Sequence, residues 1–333
     1  MRLELSTWSI IKVILIGIGF WLLVQTLNII ALLFIVLILV AALAPSVAWL
    51  RARTIPRPVA VTSVMFAVIA LIGLVLASII PALVEELTKF LSSEFPALVN
   101  KFAPYLATFT HSEQLLNNLV GQLQQFSGNI FSGVISVFGG IVSALTVLAL
   151  TFYFLLEEHP IKQAGINLWP AKHRDQIGKS IQRIMDKLGA WLRGQFLLSV
   201  IVGGLTAIVL SLIGVPAPLA LGVLAGILEI VPIIGPFVTG IVMVVMAAIS
   251  PEDALLKIGL TLGFFVILQV LEGQFLVPNV MRQAIGISPF LVIIALLIGS
   301  QLAGIPGAIL AVPLAAMIQV VAQDWPKFRN AKI

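Results

Sequence analysis

The chain is 333 residues long, 60% hydrophobic and 10% charged, whereas a soluble domain carries about 25% charged residues. Such a composition cannot cover a water-facing surface, which excludes a soluble enzyme, a disordered chain and a nucleic-acid binder. The net charge of +5 comes from 19 Lys and Arg against 14 Asp and Glu, and the absence of cysteine removes disulfides, thiolate nucleophiles and Cys-bound metals.

From Val13 to Leu50 no charge interrupts 38 residues. As one helix they would measure roughly 57 Å against a hydrocarbon core of roughly 30 Å, so two spans are expected, divided at Gln25-Thr26-Leu27-Asn28. The run is far longer than the apolar core of a signal peptide, about 7–15 residues. Pro58 to Val84 supply a third span ending near Pro81, which makes residues 1–81 three N-terminal spans. In residues 82–128, Leu83, Leu87, Phe90, Leu98, Phe102, Leu115, Leu119, Leu123 and Phe126 recur at helical spacing, the pattern of amphipathic helices packed on one another in a small domain outside the bilayer. Residues 129–157 hold a fourth span.

The segment 158–194 is basic and amphipathic. It places Ile177, Ile181, Ile184, Leu188 and Trp191 on one face and Lys172, Arg174, Lys179, Arg183 and Lys187 around the rest, as expected of a helix lying along an anionic membrane surface. Residues 195–323 then form a C-terminal core, with spans at Gln195–Ile213 and Ala254–Val277, and 324–333 a tail.

Two stretches of this core, 214–249 and 286–321, resemble each other. Each opens with Gly and a nearby Pro, runs apolar, breaks at a Gly/Pro cluster and runs apolar again. The breaks fall at Pro232 with Gly235-Pro236 and at Gly304 with Pro306-Gly307. One unbroken helix of 36 residues would be roughly 54 Å long, too long for the core, so each stretch is expected to be a re-entrant hairpin of two half-helices. Broken backbone at membrane depth is tolerated where it lines a cavity or is buried in protein. A kinked, tilted single span per stretch is the rival arrangement. The whole reads as an all-α polytopic integral membrane protein with about eight membrane-inserted segments, the two broken segments forming an inverted repeat in the C-terminal half.

Orientation follows from Lys and Arg, which are retained on the cytoplasmic side. Fifteen of the 19 fall in residues 2–12, 51–57, 162–193 and 327–332. Both termini are therefore expected in the cytoplasm and residues 82–128 outside it, in a multi-pass protein of the inner (plasma) membrane.

Within apolar sequence two acids stand out, Glu229 beside the first break and Glu272 with Gln269 and Gln274 around it. An ionisable side chain at depth faces the bundle interior or a wet cavity, so both are candidates for ion coupling or solute contact. A carboxyl capped by freed backbone amides is the structural alternative for Glu229, and pairing with Arg282 the alternative for Glu272. Ser300 and Gln301 near the second break suit a hydrogen-bonding solute. Gly222–Gly226 and Gly259–Gly263 match a small-residue packing spacing. His111, His159 and His173 show no ligand spacing and no Gly-Lys-Ser/Thr loop is present, so no catalysis, metal or cofactor is expected.

Taken together, Glu229-Ile-Val-Pro232-Ile-Ile-Gly235-Pro236, Leu271-Glu272-Gly273-Gln274-Phe275-Leu276-Val277-Pro278 with Met281, Ser288-Pro289, Gly304-Ile-Pro306-Gly307 and Ala311-Val-Pro313 resemble the autoinducer-2 exporter family, the PerM-type permeases. The resemblance covers nearly the whole chain. It implies an inner-membrane transporter, some family members being assigned to quorum-signal export and others to sodium/proton antiport. The expected activity is secondary transport exporting a small polar solute, with cation/proton antiport second and a non-transporting membrane scaffold third. Expected partners are the lipid bilayer, the solute with sodium or proton, and further copies of the chain in a homo-oligomer; no nucleic acid is expected.

Overall fold

A computed structural model describes residues 7–89, 143–231, 234–248, 253–281 and 288–330, with Ser250 and Gly286 between them. Among the described residues every regular element is helical: α1 (Thr7–Arg51), α2 (Arg57–Lys89), α3 (Ser143–Leu156), α4 (Glu158–Asn167), α5 (Arg174–Ile213), α6 (Pro218–Leu228), α7 (Ile234–Ala248), α8 (Ala254–Leu271), α9 (Val277–Met281) and α10 (Pro289–Asn330). Five stretches are long and apolar enough to cross a bilayer, Gln25–Arg51, Arg57–Leu74, Ala171–Ile213, Ala254–Met281 and Pro306–Pro326, with the bent pair α3 and α4 a sixth candidate. Large apolar side chains such as Ile208, Leu212, Leu255 and Val266 stand exposed on these helices, as lipid-facing positions would. Most of the 82–128 segment lies outside the described residues, as does the first part of the fourth span; residues 82–89 continue α2 past Pro81.

The division expected at Gln25-Thr26-Leu27-Asn28 is absent, because α1 runs through it as one helix of 45 residues. Helical backbone satisfies its own hydrogen bonds whatever the side chains, and this tetrapeptide contains neither Gly nor Pro. Residues 7–81 therefore lie in two long helices, with one candidate span in each, Gln25–Arg51 and Arg57–Leu74.

Helix α1 also continues through Pro45, whose missing N–H frees the carbonyl of Ala41. The guanidinium of Arg193 on α5 answers it, Nη1 donating to Ala42 O at 3.2 Å and to Ala41 O at 3.4 Å. At the same crossing a Cβ on Gly189 would fall 2.2 Å from Ala41 O, so glycine is what lets the two helices approach this closely.

Helix α5 carries a second correction. It runs 40 residues from Arg174 to Ile213 without a boundary near residue 194. Its apolar stripe is covered by protein: Ile184, Leu188 and Trp191 pack with Ile38, Ala41 and Met281, and Ile177 is buried. The basic segment is thus the lower half of a core helix and does not lie with that stripe on lipid. Its upper half meets α6 through glycines, Gly203 against Gly222 and Gly226 against Ser199, while Gly259 and Gly263 have no neighbour within 4 Å.

Both broken stretches double back. In the first, Ala225 and Glu229 face Pro236, Thr239 and Met243 across one small cavity, and a Cβ on Gly235 would meet Leu228 O at 1.8 Å. In the second, Ala303 (φ −142°, ψ 21°) and Gly304 (φ 59°, ψ −140°) turn the chain inside α10 so sharply that Gly299 packs on Gly307. A straight helix would hold those two residues about 12 Å apart. A kinked single span therefore does not describe this stretch. The half-helix expectation fits its first arm, Phe290–Gly304, but the returning arm, Pro306–Pro326, is long enough to cross by itself. The opening glycines of the two stretches share a left-handed conformation, Gly214 at φ 76° and Gly286 at φ 57°.

The tail expected from residue 324 onward is instead the continuation of α10, with Asp324 fully buried. Its Oδ2 accepts from Ser180 Oγ at 2.6 Å and from Arg183 Nη2, both on α5. Asp324→Ala would leave that guanidinium short of its partner; since the Arg183 side chain is 44% exposed, the expected loss is about 2 kcal/mol, below the range for fully buried pairs. A lower melting temperature in detergent for Asp324→Ala, largely recovered in Arg183→Met/Asp324→Leu, is the result that checks it.

Candidate functional site

The first break creates the site. Helix α6 ends at Leu228, Glu229 still donates its N–H to Ala225 O, and the chain then tightens through Ile230 and Val231 before α7 begins at Ile234. Ending a helix here leaves the Glu229 carbonyl without a helical partner. Gln195 of α5, itself buried, donates Nε2 to that oxygen at 2.7 Å. The Glu229 side chain is 3% exposed and its Oε2 has no hydrogen-bond partner among the described residues.

Helix α8 brings the second carboxyl. Pro278 lacks an N–H and crowds the carbonyl four residues before it, and the helix responds with a π-helical turn at Glu272–Leu276, where Val277 N–H bonds to Glu272 O. The turn carries Glu272 into the neighbourhood of Glu229, and Gln269 Nε2 donates to Glu272 Oε2 at 3.3 Å.

A cavity opens beside the pair, lined among others by Thr206 of α5, Glu229, Thr239 and Pro236 of α7, and Gln269 of α8. The cavity is about 10 Å³, room for one water or a bare small cation. Thr206 Oγ1, fully buried, has no partner, whereas Thr239 Oγ1 donates to Gly235 O at 2.9 Å. The site's level along α1 is set by Arg193, two residues from Gln195, which meets Ala41 and Ala42, and Ala41 is ten residues from Arg51. That is roughly 15 Å along the helix.

Of the residues singled out in the sequence, Glu229, Gly235, Pro236, Gln269 and Glu272 come together here. Pro232 lies outside the described residues, as does Arg282, the alternative partner of Glu272. Gln274 and Gln301 are exposed, and Ser300 Oγ donates to Leu297 O at 3.0 Å within its own helix. Gly304, Pro306 and Gly307 shape the second hairpin. The sequence reading missed Gln195 and Thr206. The charge-free run places Gln195 at a span boundary, and the only local signal is a polar residue at the start of an apolar stretch next to Gly194. Among the described residues no group of three or more His, Cys, Asp or Glu is placed to hold a metal.

Bilayer-length apolar helices enclosing a partly unsatisfied polar cluster at a helix break define a multi-pass α-helical membrane protein. The chain belongs to the AI-2E transporter family: the profile described as "AI-2E family transporter" matches residues 10–327. Similar proteins share the name "Putative transport protein". YrrI of Bacillus subtilis (strain 168) is 28% identical over 322 residues, covering 93% of this chain and 90% of its own length. MT0215 of Mycobacterium tuberculosis (strain CDC 1551 / Oshkosh) is 28% identical over 298 residues, with 86% and 80% covered. YhhT of Escherichia coli (strain K12) is 26% identical over 305 residues, with 88% and 84% covered. The family assignment makes this chain a membrane transporter.

Proposed function

We propose that the chain is a secondary transporter that exports a small polar solute by alternating access, with a proton carried on the Glu229–Glu272 pair. The observation that carries this reading is the buried Glu229 carboxyl at the helix break, one oxygen without a hydrogen-bond partner among the described residues. Transporters place coupling sites at such breaks because freed backbone and polar side chains converge there. A carboxyl pair that holds one proton can release it when one access path is wet and regain it when the other is.

Cation/proton antiport is the second reading, favoured by the size of the cavity. Glu229, Thr206 and Gln269 line a space that holds a single water or bare cation and is too small for an organic solute in this conformation. The segments bearing Arg57, Glu158, Arg183 and Asp324 meet at one end of the bundle, which supports a common cytoplasmic side for the 51–57, 158–187 and C-terminal regions.

Proteoliposomes made with and without a proton or sodium gradient test the proposal. A proton gradient should drive movement of a small polar solute well above the rate of protein-free vesicles. Sodium flux against the proton gradient with no solute moved would establish the antiporter instead, and no gradient-dependent flux of either kind would reject both.

A further inference from the structure

We infer that the groove between α4 and the start of α5 is a binding site for the headgroup of one anionic phospholipid. Helix α4 is bent 81° away from α3. With the apolar α3 running through the bilayer, α4 lies close to the membrane plane. Helix α4 is itself polar, with no buried residue, so it belongs at the interface and not in the core.

Depth agrees with orientation. The Arg57 side chain, at the cytoplasmic end of the first two spans, holds the junction of α3 and α4, donating to Leu155 O at 3.0 and 2.8 Å and pairing with Glu158 at 2.8 Å. Ile166 of α4 packs on Gly178 of α5. Moving from the Gly189–Ala41 contact ten residues along α1 reaches Arg51, and ten residues back along the antiparallel α5 reaches Lys179. The groove is therefore level with the basic end of the first span, where headgroups lie.

Its chemistry is that of a phosphate diester site. Lys162, Arg174 and Lys179 line it with Gln182, against the single acid Asp175, in a groove of about 410 Å³. The contacts these cations make are exposed and exchangeable: Lys179 with Asp175 at 2.7 Å, both largely in solvent, and Lys162 with the Gln182 carbonyl. Each is readily remade to a phosphate oxygen, with little lost from an exposed pair. Arg174 fixes the end of α4, donating to Trp169 O at 3.0 Å and Asn167 O at 3.3 Å. The two residues so held in the turn, Leu168 and Trp169, are 86% and 53% exposed. In water those side chains gain nothing. At the interface they bury beside acyl chains, which favours a lipid over a soluble phosphate ester.

The test is native mass spectrometry of the full chain released from nanodiscs of phosphatidylglycerol mixed with phosphatidylcholine. Wild type should retain one phosphatidylglycerol, and Lys162→Gln/Lys179→Gln should retain at least fivefold less at unchanged melting temperature. Arg51→Gln/Lys172→Gln removes the same charge from exposed positions at the same end and should retain lipid as wild type does. Equal loss in both double variants, no retention by wild type, or displacement of the lipid by millimolar sn-glycerol 3-phosphate would each overturn the site as an anionic-lipid groove.

Discussion

Glu229→Gln should reduce gradient-driven solute accumulation in proteoliposomes to the level of vesicles without protein, while solute exchange across vesicles at equal pH on both sides persists. The substitution keeps the shape of the side chain and leaves the backbone contact from Gln195 untouched, so the break itself should hold. What it removes is the titratable oxygen. Gln has no proton to release, and Glu272 alone, half-buried and already bonded to Gln269, is left without a carboxyl partner for the proposed coupling. Glu272→Gln should be milder, because Glu229 remains buried and ionisable with an amide beside it. Exchange is the informative control, since it needs the conformational cycle and solute binding but no net proton movement. Wild-type accumulation by Glu229→Gln, with an unaltered dependence on external pH, would remove Glu229 from the coupling role. Loss of both accumulation and exchange would assign it to the solute or to the fold instead.

The difference between what sequence showed and what it hid has a physical basis in these same residues. Membrane residence and the two breaks were legible because they rest on backbone chemistry: Gly304 at positive φ cannot be read as ordinary helix, and Gly235 sits where no Cβ fits. Polarity was a poorer guide. Gln25-Thr26-Leu27-Asn28 suggested a turn, yet nothing in it prevents helical hydrogen bonding, and α1 continues. Proline alone was no better, since Pro45 stays within α1 with Arg193 beside the carbonyl it frees. That compensation links residues 152 positions apart, and no local window contains it. The same holds for the site: Glu229 and Glu272 were each visible as acids in apolar sequence, but their meeting depends on the π-helical turn before Pro278, and Gln195 joins them only through tertiary packing. Asp324 looked like part of a charged tail because its partners, Ser180 and Arg183, lie on a distant helix.

The largest structural effect is expected at the Gly299–Gly307 contact inside α10. A Cβ on Gly307 would stand 2.0 Å from Gly299 O, and one on Gly299 would stand 2.4 Å from Gly307 O. Both obstacles are backbone, which cannot rotate aside as a flexible side chain would. Gly307→Ala must therefore part the two arms of the hairpin, and the arms carry Leu296, Ala308, Ala311 and Val312 into the core shared with Leu188 and Trp191. In lipid, separated helices are not driven together again by the hydrophobic effect, because acyl chains solvate apolar side chains as well as protein does; close packing is what holds them. Overpacking of this kind costs about 3 kcal/mol, read as a clearly lower melting temperature and poorer monodispersity in detergent. Gly259→Ala is the matched control: its Cβ would meet nothing within 4 Å, and replacing Gly by Ala in mid-helix is worth up to about 1 kcal/mol in the stabilising direction. The two alanines add the same methyl to the same kind of helix, so only the Gly299–Gly307 approach can separate their effects. Equal melting temperatures for Gly307→Ala and wild type would mean that the arms do not pack this closely, and the fold-back at Gly304 would have to be redrawn as an open kink.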